Sequence, residues 1–288
     1  MELQQMRYVV AVAETRSFTR AAERCLVVQS ALSHQIAKLE RELGVQLFAR
    51  SSRRVEVTQA GEAFVAAARQ SLDAAERAVA GAAAAMGEVR GRLAVGVIPT
   101  VAAVDVPELL QRFRARHPKV RISLEVAASD ELAARVMRGA LDAAFVGLEQ
   151  SVPPPARVAA RELARDRLRA VLPVEHPLAS RKRVRLADLA DETFVDFAAG
   201  TPGRAQSDRA FAAAGVVRSV DFEVSAADLM EQMVRRGLGI ALLPSTYELR
   251  LPELVSVAVT DGPHRVEHLL WSGFHPSPAA QAFIDLVG

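Results

Sequence analysis

Over roughly the first ninety positions apolar residues recur with helical periods, and from about residue 91 short apolar runs begin to alternate with helical ones. Leu3, Met6, Val10 and Ala13 form a stripe that predicts a first helix packed beneath its successors. Ser17 is placed to cap a short second helix, whose Ala21 and Ala22 allow a close helix crossing. From Gln29 to Leu43, the residues Leu32, Ile36, Leu39 and Leu43 are spaced by four, three and four, which puts them on one face of a third helix that Gly44 stops. VQLFAR, then the basic positions Arg50, Arg53 and Arg54, then the alternating VEV predict a small hairpin with a basic tip. Thr58 can cap a long, proline-free, alanine-rich helix from about Gln59 to Glu88. In it Val65, Leu72, Val79 and Met86 fall seven apart, with Ala68, Ala75 and Ala82 between them, a heptad seam that predicts pairing with a second copy of the chain.

Beyond Gly91 the runs LAVGVI, VRISLEV and DAAFVG alternate with helical stretches at Val106 to Ala115 and Glu131 to Arg138. Three prolines at 153 to 155 mark a connection. A second series follows: LRAVLP, TFVDF, a helix from Arg204 to Ala214, VDFEV, a helix from Ala227 to Arg236, and GIALLP. HLLWSG reads as a strand returning to the first half, and Pro278 to Val287 as a closing helix. Such alternation predicts parallel sheets covered by helices.

The polar side of the third helix carries Ser30, His34, Ala37, Lys38 and Arg41, small at its start and basic towards its end, which suits a helix laid in a major groove. The run SFTRAAERC, followed by QSALSHQIAKLERELGVQLFAR and VTQAG, resembles the winged helix-turn-helix of the LysR-type transcriptional regulators. That resemblance is dense over about the first sixty residues, with weaker fold-level similarity over the rest. It implies an α+β multidomain chain: a winged helix-turn-helix over 1–58, a linker and dimerisation helix over 59–90, and an effector-binding domain over 91–288. The last would have the periplasmic-binding-protein fold of two α/β subdomains, about 92–161 with 268–288, and 162–267. Three positions depart from the family pattern. Val28 stands where a Ser or Thr usually caps the recognition helix, at a cost of about 1 kcal/mol unless something replaces the cap. Ser30 replaces a common Pro, and His34 a common Arg.

The formal charge of +2 is uneven, with nine Lys or Arg against six Asp or Glu over residues 1–58, and 27 against 28 thereafter. Positive charge therefore collects on the expected DNA module. The single cysteine, Cys25, cannot close an internal disulfide and reads as core packing. With no apolar run near the roughly 18 residues of a membrane span and no signal peptide at Met1, the expectation is a cytoplasmic, nucleoid-associated bacterial protein.

Gln29, Ser30, Ser33 and His34 are the expected base-reading or adjacent phosphate contacts, with Lys38, Arg50, Arg53 and Arg54 supplying phosphate and wing contacts. In α/β sheets ligands bind beyond the carboxyl ends of strands, near helix N-termini. That rule selects Thr100, Ser129 and the loop from Phe197 through Thr201 to Arg204 as effector contacts. The resemblance supports the first two, at positions where the family often uses hydroxyls. Arg204 is the obvious full positive charge in this set, which suggests a small carboxylate-bearing effector. No G-x-S-x-G, G-x-G-x-x-G, P-loop or H-E-x-x-H pattern occurs, and His264 and His268 lie on a strand with no second ligand cluster, so neither an enzyme, a metal nor a cofactor is expected. The expected partners are double-stranded promoter DNA, a small-molecule effector, further copies of the chain in a homodimer and homotetramer, and RNA polymerase if the protein activates. The competing reading is a cytoplasmic small-molecule sensor acting through protein contacts alone, against which the basic wing counts.

Overall fold

A computed structural model describes residues 1–50, 55–247, 249, 251–273 and 276–288, with only the main chain of Arg50. It divides into two compact units, Met1–Glu88 and Val89–Gly288.

In the N-terminal unit, helices α1 (Leu3–Thr15), α2 (Phe18–Arg24) and α3 (Gln29–Leu43) are followed by strands β1 (Phe48–Arg50) and β2 (Val55–Val57) and helix α4 (Gln59–Ala84). The side chain of Ser17 accepts a hydrogen bond from the Arg20 amide, and that of Thr58 accepts one from Gly61 at 3.0 Å, so both predicted caps form. Gly44 ends α3 with φ +69°, a conformation that favours glycine. β1 and β2 pair antiparallel with Phe48 opposite Val57. The Glu40 carboxylate accepts the amides of Leu47 (2.8 Å) and Phe48 (3.2 Å), tying α3 to the start of the hairpin. Val9, Val12, Ala21, Leu32, Ile36, Leu39 and Phe48 form the core.

Three expectations for this unit shift. The face of α1 turned inward carries Gln5, Tyr8, Val9 and Val12, while Leu3 stays exposed. α1 is apolar on two adjoining stripes, so period alone does not choose between them; the interior takes the one with Tyr8, and Gln5 finds a partner in Gln35. Leu43 is exposed in the last turn of α3. α4 stops at Ala84, not near Glu88, because Ala85 to Gly87 turn with Gly87 at φ +80°. Met86 therefore lies outside the helix, and Val65 and Ala68 are buried in the unit's own interior, where α1 packs on the first half of α4. Arg53 and Arg54, at the expected wing tip, lie outside the described residues.

The C-terminal unit consists of β3 (Gly91–Val97), α5 (Val106–Arg116), β4 (Val120–Val126), α6 (Ser129–Met137), β5 (Ala143–Glu149), β6 (Val158–Pro173), β7 (Arg183–Val184), β8 (Thr193–Phe197), α7 (Pro202–Ala213), β9 (Ser219–Val224), α8 (Ala227–Arg235), β10 (Ala241–Pro244), β11 (Leu254–Val259), β12 (His264–Ser272) and α9 (Pro278–Val287). In its first half, β4, β3 and β5 run parallel and β12 closes the set antiparallel to β5. Rings of Phe113, Phe145 and Phe283 meet edge to face between sheet and helices. The second half is built on β6, with β10 and β11 antiparallel to it, and on the parallel pair β8 and β9, which a bridge from Phe194 to Ile240 joins to the rest.

Strand β6 passes through both halves. Val158 to Arg167 pair with β12, and Leu168 to Pro173 pair with β10 and β11. The change of partner thus falls at Arg167 and His264, a few residues from the expected steps at 161/162 and 267/268. Strand β6 is long enough to serve both halves in succession, which a division by apolar runs cannot register.

Candidate DNA-reading surface and ligand cavity

Helix α3 turns Leu32, Ile36 and Leu39 inward and leaves Gln29, Ser30, His34 and Lys38 exposed, with Ser33 half-buried. Since residues i and i+4 share a helix face, Ser30, His34 and Lys38 form one accessible line that ends in positive charge. Arg41 is also exposed, one turn further on from Ala37, whose carbonyl accepts its Nε at 3.3 Å. Val28 occupies the N-cap and makes no capping hydrogen bond, so the helix starts without a side-chain acceptor.

In the C-terminal unit, a cavity of ≈ 620 Å³ opens beyond the carboxyl ends of β3, β4, β8 and β9. The first residues of α6 and α7 and the residues just before α8 line it, so three helix N-termini, whose amides lack intrahelical acceptors, converge on it. Ile98, Val126, Phe197 and Val224 make its walls apolar. Thr100, Ser129, Phe197 and Thr201, selected from sequence, all line this space. The hydroxyls of Thr100, Ser129 and Thr201 are not equivalent.

Thr100 Oγ1 accepts from Arg265 Nη1 at 2.9 Å, which leaves its own proton to donate. Ser129 is the first helical residue of α6, and Ala128 holds the N-cap position. Its hydroxyl donates to the Gly147 carbonyl (2.9 Å) and accepts the Gly147 amide (3.1 Å), pinning α6 to β5. Thr201 precedes α7, and its Oγ1 donates to the Ala198 carbonyl at 2.8 Å.

Arg204 does not line the cavity. Its guanidinium donates to Asp208 (3.1 Å), Glu223 (3.1 Å) and the Phe197 carbonyl (3.2 Å), and Asp196 stands 4.0 Å away. Carboxylates of its own subdomain already claim this charge, which corrects the expectation of a free effector-binding cation. Nearby, Arg218 pairs with Asp196 at 2.7 Å while lying against the rings of Phe194 and Phe211. Burial nevertheless holds the Asp196 carboxyl above its ordinary range.

Two cations line the cavity, and sequence reading missed both: Arg135, which Glu125 holds at 2.6 Å and Glu131 at 3.7 Å, and the more deeply buried Arg265. Arg265 donates Nη2 to the Thr100 carbonyl at 3.0 Å and pairs with Glu267, whose carboxylate also accepts the amides of Ala102 and Ala103. Burial pulls the guanidinium below its ordinary value, opposed by Glu267 and Asp166. A signal existed: in the apolar strand His264 to Ser272, Arg265 and Glu267 are two apart and so share a face. Gln206 of α7 was likewise missed; it lines the cavity and donates to the His264 carbonyl of β12.

Residues 86–288 match the family described as LysR substrate binding domain, and residues 3–62 match the bacterial regulatory helix-turn-helix protein, lysR family. A hydrogen peroxide-inducible genes activator of Pectobacterium carotovorum subsp. carotovorum is 35% identical over 246 residues, covering 85% of this chain and 80% of the relative. The RuBisCO operon transcriptional regulator of Allochromatium vinosum is 33% identical over 296 residues, covering 100% of this chain and 95% of the relative. Among solved structures, full-length CbnR complexed with its target DNA is similar at a TM-score of 0.73 and 26% identity, covering 100% of this chain and 99% of that one.

Proposed function

The chain belongs to the LysR family and is a DNA-binding transcriptional regulator with an effector-binding domain, and from that premise we propose how its two units divide the work. Gln29, Ser30, Ser33 and His34 read bases or adjacent phosphates from the major groove, and Lys38, Arg50, Arg53 and Arg54 hold the backbone. Two copies pair through α4, using Leu72, Ala75, Val79 and Ala82; the support is that Val79 and Ala82 are exposed on a helix whose first half is already spent internally. Twofold pairing demands a pseudo-palindromic site, and two such dimers make the tetramer. RNA polymerase is a further partner where the protein activates. The place of action is the bacterial cytoplasm, on the nucleoid; no described helix is long and apolar enough to cross a membrane.

The observation that carries the effector reading is the convergence of three helix N-termini on an apolar-walled cavity. It favours a small, largely apolar molecule with one anionic head, such as a carboxylate. Helix amides, Thr100 and Arg265 recognise that head, in place of Arg204. Some relatives are named for induction by hydrogen peroxide, but here the C-terminal unit contains no cysteine, and Cys25 lies in the N-terminal unit. Burial raises the Cys25 thiol pKa despite Arg24 and Arg7, which lowers its thiolate fraction. We therefore assign signalling to ligand binding and not to a thiol. The ligand shifts oligomer geometry on DNA only by its differential affinity for two states.

Fluorescence anisotropy with duplexes selected from a random pool, at several salt concentrations, tests this reading. The expected result is a preference of roughly a thousandfold over random duplex with a steep salt dependence. Arg53→Ala weakens all duplexes and flattens the salt slope, whereas Ser33→Ala relaxes choice at particular base pairs. Equal weak binding to every duplex, at all salts, contradicts it. A screen of small carboxylates in the same assay should find one that alters binding, and none that acts on Arg265→Met.

A further inference from the structure

The four residues joining α2 to α3 alternate in their burial. Cys25 and Val27 pack against the domain core, whereas Leu26 exposes 92% and Val28 68% of their surface. Both exposed residues are large and apolar, and both occupy backbone positions that disfavour them. Leu26 sits at φ +56°, in the left-handed region, where the amide of Val27 donates to the Ala22 carbonyl at 3.0 Å and that of Leu26 to Glu23 at 3.1 Å. This is the helix-ending motif in which glycine or asparagine avoids the strain of a Cβ. Val28 is the N-cap of α3 and offers no acceptor to the helix amides, where serine, threonine, asparagine or aspartate would. Neither residue repays its cost by packing inside the unit. Strain and exposure kept together at the entrance of a DNA-reading helix point to contact with the DNA itself.

We infer that Leu26 and Val28 form an apolar reading edge that recognises the C5 methyl groups of thymine beside the bases read by Gln29 and Ser30. The major groove presents one apolar group, that methyl, and it distinguishes T·A from every other pair without a hydrogen bond. Val28 immediately precedes the first residue of α3, the end of the helix that reaches base edges. An aliphatic side chain there gains by desolvating a methyl and loses against the amino and carbonyl groups of other bases. The recognition thus exchanges a phosphate-facing or capping polar residue for a base-specific apolar one.

This inference rests on the DNA-reading role of α3, and the test separates the two. Starting from the best duplex selected with the full-length protein, each thymine is replaced in turn by deoxyuridine, which removes only the methyl group. For the unaltered protein, at least one such position in each half-site should weaken binding by about fourfold, the worth of one buried methyl-sized group. Val28→Ser supplies a cap and Leu26→Asn suits the left-handed position, so both variants keep the fold. At the sensitive position one or both of them should bind the thymine and deoxyuridine duplexes alike, while still preferring the selected duplex over random DNA. Deoxyuridine that is tolerated everywhere, or a penalty that survives undiminished in both variants, overturns the inference. Failure of the unaltered protein to prefer the selected duplex at all overturns the DNA reading beneath it.

Discussion

Replacing Glu267 by alanine isolates the polar knot at the base of the cavity. The Glu267 side chain is buried beside Arg265 and accepts the amides of Ala102 and Ala103, the latter at 3.0 Å. Losing it leaves a buried guanidinium without its counter-ion, which costs about 3–5 kcal/mol. Two amides are also left without their acceptor, at about 1–3 kcal/mol each if water does not replace it. Because one relaxation serves all three groups, we expect about 5 kcal/mol, a large part of a domain's usual roughly 5–15. The reporter is built in: Trp271 is the chain's single tryptophan and lies on β12, the strand that carries Glu267. Urea unfolding followed by its fluorescence should therefore report the C-terminal unit, and at an m-value of roughly 2–3 kcal/mol/M the midpoint should fall by about 2 M. Combining Glu267→Leu with Arg265→Met removes the unpaired charge and leaves only the amide cost, so the double variant should be more stable than either single one. A double variant less stable than both singles, or a Glu267→Ala shift below about 0.5 M, would refute a paired-charge role.

Acid should act through Asp166. Burial pushes its carboxyl up, but hydrogen bonds from Ser245, Thr246 and the Arg167 amide outweigh this and hold it below the ordinary value. A depressed folded pKa gives stability that is present above about pH 3.9 and lost as pH falls through the folded value. The Trp271 midpoint should then fall more steeply with acidification in the unaltered protein than in Asp166→Asn, and parallel curves would contradict this. In the N-terminal unit, a Cβ on Gly61 would stand 2.1 Å from the Leu47 carbonyl oxygen, whereas one on Gly81 meets nothing within 4 Å. Thermal unfolding followed by circular dichroism should show Gly61→Ala losing at least about 2–3 kcal/mol and Gly81→Ala gaining up to about 1; the reverse order would mean that the packing around α4 is wrongly described. Ser129→Ala removes two hydrogen bonds to Gly147 and should cost the C-terminal unit about 1–2 kcal/mol by the Trp271 assay. An unchanged midpoint with altered effector binding would return Ser129 to the role of a ligand contact.

What sequence alone made legible was whatever depends on local period and chemistry. Helix α3 runs from Gln29 to Leu43 as expected because one amphipathic period and one glycine define both its buried face and its end. Ser17 and Thr58 cap as expected because a hydroxyl beside a helix start needs no partner beyond the next turn. The parallel strands β3, β4 and β5 were legible as apolar runs, and with them the carboxyl ends where a cavity forms. β6 was read ten residues short at its start, because the missing stretch VAARELARDR mixes arginine and glutamate with alanine and shows no clean alternation; β11, the apolar run LVSVAV, went unrecognised although it carries an ordinary strand composition.

The errors at the site have a single physical origin. A charge read along the chain is a formal charge, whereas recognition depends on the charge left after neighbours have been counted. Arg204 looked free because Asp196, Asp208 and Glu223 are distributed over other turns and strands, and only folding gathers them around it. Ser129 looked available because Gly147, which occupies both sides of its hydroxyl, lies 18 residues away. Arg265 and Glu267 looked unremarkable as a strand's alternating charges until the sheet buried them against the loop after β3. Polarity next to a strand's carboxyl end therefore locates a cavity well, but it does not say which polar atoms remain to meet a ligand. For this chain that count removes Arg204, the Ser129 hydroxyl and the lining Arg135, which Glu125 and Glu131 hold, and leaves the helix amides, the Thr100 proton and a cation already shared with Glu267. So nearly balanced a charge set should bind a monoanion with an apolar body and reject a dianion, whose second charge would find no free partner in the cavity.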